Sequence, residues 1–533
     1  MKFTDIFAAY SLLSVSYATS IPTGFQQRCS ELSKSFRPDD RTTILLSEFV
    51  SAGSNVTNPD NHPTCQKKPF VTTLADMCRL RLNVKTSGSS DIIMEAWMPV
   101  NWNDKSKRFL VIGNGGLGGC VSYGDLAFTA YLGFAAIAHN NGHTGDTGIY
   151  FLNQPEVLKD FVYRAVQTAT NVGKQAVTHF YKKSLNKSYY LGCSTGGRQG
   201  LKAAQEFPEE FDGIVAGAPA NDNTNLDSMA GYYYKALGKP GDATFVTAEQ
   251  WAAINEMVLG QCDGLDGVRD RVIEDPMMCN PRPEAMFCAP GQTWASNRCL
   301  TSAQVGAVRK VYQAFYGKDG NMVYPRLNPG AEIMAAAYML LQPARYLIEW
   351  FKYAIFNNEQ WSVDRDFNLD AVAYASKLDP YGISTWKDLS KLKATGHKLL
   401  VYHGLMDGII SSENSYRYYE HVSRSMGLPS DKLDEFYRFF PIPGHGHCLG
   451  GNGAWFIGAA VQFSTKGVTE IPTEGGVLMS MVKWVEEGVA PERIVGRNIT
   501  SDGVFGVKEH CKWPKRNVYL GGDASKKESW GCQ

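Results

Sequence analysis

Neither sign of charge is in excess: 53 lysines and arginines face 53 aspartates and glutamates across 533 residues. No basic block and no acidic tail stands out, so the chain lacks the electrostatic footprint of a protein that binds nucleic acid or a membrane surface. No stretch reaches the ~20 apolar residues that a spanning helix needs. Internal repeats, low-complexity segments and Gly/Ser- or Pro-rich linkers are also missing, which argues against a repeat array or domains strung on flexible tethers. The length suits one large domain with a substantial insertion, or two to three ordinary domains.

Cysteine, by contrast, is plentiful. A chain of this length can bury a large core and does not need crosslinks merely to fold. Twelve cysteines in an otherwise ordinary composition point to an oxidising compartment. The N-terminus agrees. Lys2 supplies a small positive region, residues 6–15 are mostly apolar despite Asp5 just before them, and Ser16-Tyr17-Ala18 resembles a cleavage site. Residues 1–18 therefore read as a secretory signal peptide. Asn55, Asn186 and Asn498 each open an N-x-S/T sequon, which fits a secreted, extracellular glycoprotein.

Apolar runs at residues 108–112, 133–138, 188–191, 213–216, 398–402 and 435–440 read as buried parallel strands. Helical patterns such as residues 158–181 separate several of them, so the alternation predicts an α/β domain with a mainly parallel sheet. Functional residues then belong at the carboxyl ends of the strands. Residues 225–392 break the rhythm with many aromatics and with Cys262, Cys279, Cys288 and Cys299. They read as an inserted second domain.

Two cysteines sit beside two candidate catalytic residues. Cys193 precedes Ser194 in GCSTGGRQG, and Cys448 follows His447 in PIPGHGHC. A disulfide holds its Cα atoms about 4.4–6.8 Å apart. If these two are bonded, Ser194 and His447 are brought within reach of each other, as a nucleophile and its general base require. Gly192-Cys193-Ser194-Thr195-Gly196 fits G-x-S-x-G, entered from an apolar strand and left through a helix-compatible segment, which is the geometry of a nucleophile elbow. Side chains at Gly192 and Gly196 would collide with backbone in that turn, and Gly197 and Gly200 let the helix approach the sheet. Asp407 lies just past the strand at 398–402, where the acid of a Ser…Asp…His order falls; Glu413 is a weaker candidate, and Asp407 could also be a turn residue before Gly408. His445 rivals His447, but only His447 adjoins a cysteine. A metal site at His445-x-His447-Cys448 lacks further ligands at plausible spacing.

The strand at 108–112 leads into Gly113-Asn114-Gly115-Gly116-Leu117-Gly118-Gly119. Gly115 or Gly116 suits one oxyanion donor, and the N–H of Thr195 the other. The same loop matches G-x-G-x-x-G, yet no helix signal follows and Asn140 stands where an acid is needed, so nucleotide binding is not expected. Asp263, Asp266 and Asp270 crowd three carboxylates into eight residues. That suits either a calcium loop or a solvated acidic turn, and the spacing is not that of an EF-hand.

Cys193-Ser194, Asp407 and His447-Cys448, together with the GNGGLGGC, GCSTGGRQG and DEFYRFF stretches, resemble the tannase and feruloyl esterase family, closest to its fungal secreted feruloyl esterases of type B/C. The resemblance covers nearly the whole chain after the leader. It implies an α/β-hydrolase fold with a large inserted lid domain: residues 19–224 and 393–533 as the catalytic domain, 225–392 as the lid. It implies the bridge Cys193–Cys448, with Cys29–Cys78, Cys65–Cys120, Cys262–Cys279, Cys288–Cys299 and Cys511–Cys532 as the others. It also implies a structural Ca2+ in the lid, held by the side chains of Asp263, Asp266 and Asp270 and the carbonyls of Val268 and Val272. The expected activity is release of ferulic and related hydroxycinnamic acids from plant cell-wall polysaccharide esters; the alternative is hydrolysis of galloyl esters by a tannase.

Overall fold

The computed structural model describes residues 23–57, 62–65, 69–102, 106–464, 475–500 and 503–533. The expected leader, residues 1–18, lies outside them.

Nine strands form one sheet: β1 (Thr42–Val50), β2 (Met77–Lys85), β3 (Asp91–Pro99), β4 (Arg108–Ile112), β5 (Ala135–His139), β6 (Lys187–Cys193), β7 (Gly213–Gly217), β8 (Lys398–Gly404) and β9 (Tyr437–Ile442). Their order across the sheet is β1-β2-β3-β5-β4-β6-β7-β8-β9. From β5 to β9 every neighbour is parallel. The β1–β2, β2–β3 and β3–β5 pairs are antiparallel. Strands β4 to β9 are almost wholly buried, as their unbroken apolar runs require.

Strands β1 to β3 carry no such run. Arg79 on β2 and Glu95 on β3 sit inside the sheet, joined by two hydrogen bonds of 2.9 and 2.8 Å. Trp97 Nε1 and the Tyr123 hydroxyl also donate to Glu95, at 3.0 and 2.8 Å. An ion pair can be buried at tolerable cost only when its remaining lone pairs are filled in this way.

Helices cover both faces. Ala165–Tyr181, Thr195–Glu206 and Glu413–Met426 pack on one, Tyr123–Tyr131 and Val477–Glu487 on the other. The expected single helix at 158–181 is broken: Pro155–Lys159 is α-helical, Asp160–Arg164 forms a π-helical turn, and the α-helix resumes at Ala165.

The long segment between β7 and β8 is mainly helical, with the short ladder Phe315–Tyr316/Met322–Tyr324. Its aromatics, among them Tyr233, Trp251, Trp350 and Phe351, share one hydrophobic cluster with Leu117 from the loop after β4 and with Phe151 and Phe161 from the short helical turns after β5. The segment is therefore welded to the carboxyl edge of the sheet by continuous packing. Its last apolar residues, Leu389 and Leu392, pack with the sheet's own core instead.

Candidate active site

Ser194 directly follows β6 and stands at the N-cap of the helix Thr195–Glu206, with φ 65° and ψ −122°. A non-glycine residue at positive φ is strained and persists only where its surroundings over-determine it. The over-determination is visible next door. A Cβ on Gly197 would stand 2.2 Å from the carbonyl oxygen of Gly217, so only glycine lets the helix sit this close to β7.

The Ser194 hydroxyl donates to His447 Nε2 at 2.9 Å, and His447 Nδ1–H donates to Asp407 Oδ2 at 2.7 Å. Asp407 lies just beyond β8, where the strand's register with β7 and β9 puts it at the carboxyl edge. Its other oxygen accepts the N–H groups of Ile409 and Ile410 at 2.8 and 2.9 Å. Burial would push its carboxyl up, but the charge of His447 and hydrogen bonds from His403 and His447 outweigh that and hold it well below the usual carboxylate range. Asp407 is thus an anion fixed in place, able to set the His447 tautomer and to stabilise an imidazolium.

Cys193 and Cys448 are bonded, with Cα atoms 6.0 Å apart. The other five bridges are the pairs that the resemblance implies, and no cysteine is free. Cys448 adopts φ 62°, so the crosslink ties together two strained turns, one on each side of the Ser194–His447 hydrogen bond. Replacing both cysteines with alanine is expected to lower kcat by about 10²-fold, the cost of misplacing a reacting group by roughly 1 Å. Turnover measured on protein whose circular dichroism matches the parent checks this, and unchanged turnover would remove the positioning role.

The rivals lie elsewhere. His445 is completely buried; its ring bonds the Gly446 carbonyl at 2.5 Å and meets Gln462 at 3.1 Å, and burial lowers its pKa to about 4. Glu413 is the first residue of the helix Glu413–Met426, after Ser412 at its N-cap, and among the described residues no hydrogen bond joins it to His447. Among the described residues no group of three or more His, Cys, Asp or Glu side chains is arranged to hold a metal.

One residue escaped the sequence reading. His403, fully buried on β8, approaches Asp407 Oδ2 at 3.2 Å and the Ile410 carbonyl at 3.1 Å through Nε2. Both are acceptors, so Nε2 carries the proton, and Nδ1 meets the Ser415 hydroxyl at 2.7 Å. A histidine four residues before a candidate acid at a strand end was the available signal.

The loop 113–119 lies against the serine turn. Thr195 Oγ1 donates to the Gly116 carbonyl at 2.6 Å. Asn114 N–H donates to Gln199 at 3.0 Å, and the Asn114 amide donates to the carbonyls of Cys120 and His139 at 3.1 and 2.6 Å. Among the described residues no hydrogen bond engages the N–H of Gly115, Gly116 or Thr195. These are the free donors an oxyanion hole needs. Contrary to the sequence expectation, a helix does follow the loop, at Tyr123–Tyr131, but the loop is folded onto Thr195 and Gln199 rather than opening that helix.

Of the acidic loop, Asp263 Oδ1 and Asp266 Oδ2 are buried without a hydrogen-bond partner. Asp266 Oδ1 accepts from Val268 N–H at 2.9 Å, and Asp270 Oδ1 from Val272 N–H at 3.0 Å. Burial raises the pKa of Asp266, with the Asp270 charge adding to it; burial likewise raises Asp270, with Asp263 adding. Asn55 and Asn186 are exposed, while Asn498 is half-buried and donates to the Asn452 carbonyl at 3.1 Å.

A mostly parallel sheet with an antiparallel edge, helices on both faces and a serine, histidine and aspartate aligned at its carboxyl edge defines an α/β hydrolase of the serine type. Residues 78–533 match the family described as tannase and feruloyl esterase, and the chain belongs to that family. It is 44% identical over 515 residues to a probable feruloyl esterase B-1 of Aspergillus flavus, covering 95% of each chain. The crystal structure of feruloyl esterase B from Aspergillus oryzae superposes with a TM-score of 0.90 at 44% identity, over 96% of this chain and 100% of that one. A tannin acyl hydrolase from Aspergillus niger shares the fold, with a TM-score of 0.72 at 21% identity over 95% of this chain and 94% of that one.

Proposed function

We propose that this protein is a feruloyl esterase: a secreted serine carboxylic-ester hydrolase that releases ferulic and related hydroxycinnamic acids from plant cell-wall polysaccharide esters. The observation that carries the reading is the closed hydrogen-bond chain from Asp407 through His447 to Ser194. Ser194 Oγ attacks the ester carbonyl while His447 Nε2 takes its proton. The oxyanion forms against the N–H groups of Thr195 and of Gly115 or Gly116. His447 then gives its proton to the ester oxygen of the leaving sugar as the acyl C–O bond breaks, so that the sugar departs as an alcohol; an acyl-enzyme remains, and a water activated by His447 frees the acid. The helical segment between β7 and β8 borders this chemistry: Met334 packs on Gly408 and Gly446, beside Asp407 and His447. Aromatic and apolar side chains there suit a planar phenolic acyl group.

The relatives sharing 44% identity are named feruloyl esterases, whereas the tannin acyl hydrolase shares the fold alone; the cinnamate reading is therefore preferred to the galloyl one. Turnover of the methyl esters of ferulic, caffeic, p-coumaric, sinapic and gallic acids tests it. Hydroxycinnamates should lead, and a preference for methyl gallate would overturn the assignment. The leader, six disulfides and exposed sequons support an extracellular site of action, and among the described residues no helix is long and apolar enough to cross a membrane.

A structural calcium belongs to the same reading. Among the described residues these three carboxylates are not already gathered as a metal site, but the orphaned oxygens of Asp263 and Asp266, and the mutual repulsion of carboxylates tied down by the Cys262–Cys279 bridge, support a hard cation with oxygen ligands that would draw them together. Asp263, Asp266 and Asp270 would hold it with the carbonyls of Val268 and Val272, and its part is to brace the loop. Chelation should lower Tm, the cation contributing about 2.7 kcal/mol at a hundredfold excess over its Kd. The gap should widen with pH. Without cation, the raised pKa values of Asp266 and Asp270 give stability that is complete below about 3.9 and is lost as pH rises through their folded values. With cation, deprotonation favours binding. Equal Tm values with and without chelator at pH 7 would refute the site.

A further inference from the structure

The oxyanion loop is held not only from the serine side but also by the segment between β7 and β8. Gly118 and Gly119 pair with Asp146 and Gly145 in a short antiparallel ladder, placing the Asp146 side chain over the loop. Asp146 Oδ1 accepts the N–H of Leu117 at 2.7 Å. Its Oδ2 accepts the Tyr346 hydroxyl at 2.9 Å and an Arg345 guanidinium N–H at 2.6 Å. Arg345 also donates to the Asp146 carbonyl. Glu349, one turn along the same Arg345–Glu349 helix, accepts the N–H of Gly148 at 2.7 Å. Gly116 takes φ 59°, and a Cβ there would lie 2.3 Å from Asp146 Oδ1 and 2.8 Å from the Tyr346 hydroxyl. The Gly116–Leu117 backbone is thus seated directly on this cluster, with no room to slide.

We propose that Asp146 is a positioning residue for the oxyanion hole and that Tyr346 and Arg345 lock it in place, so that the inserted segment sets the rate of acyl transfer as well as bordering the substrate. This rests on the ester-hydrolase reading given above. Two physical requirements meet in the cluster. Donors in an oxyanion hole act only when pre-aimed at the oxygen's position in the transition state, and misaim costs rate without costing ground-state binding. A carboxylate beside a developing oxyanion is also repulsive, and the Arg345 guanidinium cancels that charge while the Tyr346 hydroxyl and Leu117 N–H fill the lone pairs.

The test measures kcat and KM on methyl ferulate for Tyr346→Phe, Arg345→Met and Arg345→Lys, beside the parent. It adds the affinity of each for an aryl trifluoromethyl ketone, whose adduct with Ser194 places an oxyanion in the hole, and for free ferulic acid. Tyr346→Phe and Arg345→Met should lower kcat by about tenfold to a hundredfold, below the 10²–10³ lost with a whole donor. KM and ferulate affinity should stay within about threefold, and ketone affinity should weaken in step with kcat. Arg345→Lys should recover part of the loss. Unchanged kcat in folded variants, or a fall in kcat with ketone affinity intact, overturns the proposal. Should Arg345→Met fail to fold, Tyr346→Phe, which keeps the ring and removes one hydroxyl, decides alone. No ester turnover by the parent would instead overturn the hydrolase reading itself, and the proposal with it.

Discussion

Replacing Ser194 with alanine is expected to lower kcat on methyl ferulate by about 10⁵-fold or more. The size follows from what remains. Without Oγ no acyl-enzyme can form, and His447 Nε2, 2.9 Å from that oxygen, has no nucleophile to deprotonate except water it was not placed to hold. The free N–H groups of the 113–119 loop and of Thr195 stay where they are, so a residual acceleration of about 10³–10⁴ over uncatalysed hydrolysis should persist. Stability should barely move. The hydroxyl is half-exposed and makes one hydrogen bond, whose loss costs about 1 kcal/mol. The strained backbone at φ 65° is enforced by the closeness of helix and sheet at Gly197, not by the side chain. Loss of covalent labelling by a fluorophosphonate, with unchanged Tm, completes the expected result. Retained turnover would show that another residue carries the attack.

That Ser194, Asp407 and His447 could be found in the chain while their supports could not has a physical cause. Strands β4 and β6 to β9 are buried on both faces and therefore write themselves as short apolar runs, and catalytic residues fall where such runs stop. The cysteines adjoining Ser194 and His447 added a long-range constraint that sequence rarely offers. Strands β1 to β3 were illegible for the converse reason. Arg79 and Glu95 look like surface residues until each is seen to be the other's partner within the sheet, with Trp97 and Tyr123 completing the shell. The same holds for Asp146, whose partners Arg345 and Tyr346 stand 199 and 200 residues away. A polar residue that acts through distant partners leaves no local periodicity to read. The π-helical turn at Asp160–Arg164 was equally hidden, since Asp160 is buried there by hydrogen bonds of 2.6 and 2.5 Å from Thr86 and Ser90.

Asp407→Asn should reduce kcat by about 10⁴-fold through the tautomer of His447, with the fold intact. The direction is dictated by the two sides of the carboxylate. Oδ1 accepts the N–H groups of Ile409 and Ile410, so the amide oxygen of asparagine must take that side. The amide nitrogen then replaces Oδ2, facing His447 Nδ1 at 2.7 Å and His403 Nε2 at 3.2 Å. An NH2 group cannot accept a hydrogen bond. His447 Nδ1 is forced to become the acceptor, its proton moves to Nε2, and the ring then presents a donor to Ser194 where the reaction needs a base. His403 is affected as well, because its Nε2–H keeps the Ile410 carbonyl but loses its second acceptor. Stability should report the missing charge separately. The depressed pKa of Asp407 means its contribution is complete above about 3.9 and is lost only as pH falls through its still lower folded value. The parent should thus be the more stable at pH 7, and its lead over Asp407→Asn should shrink as the solution is acidified below that range. A fall in kcat of less than tenfold would mean that His447 keeps its working tautomer without Asp407.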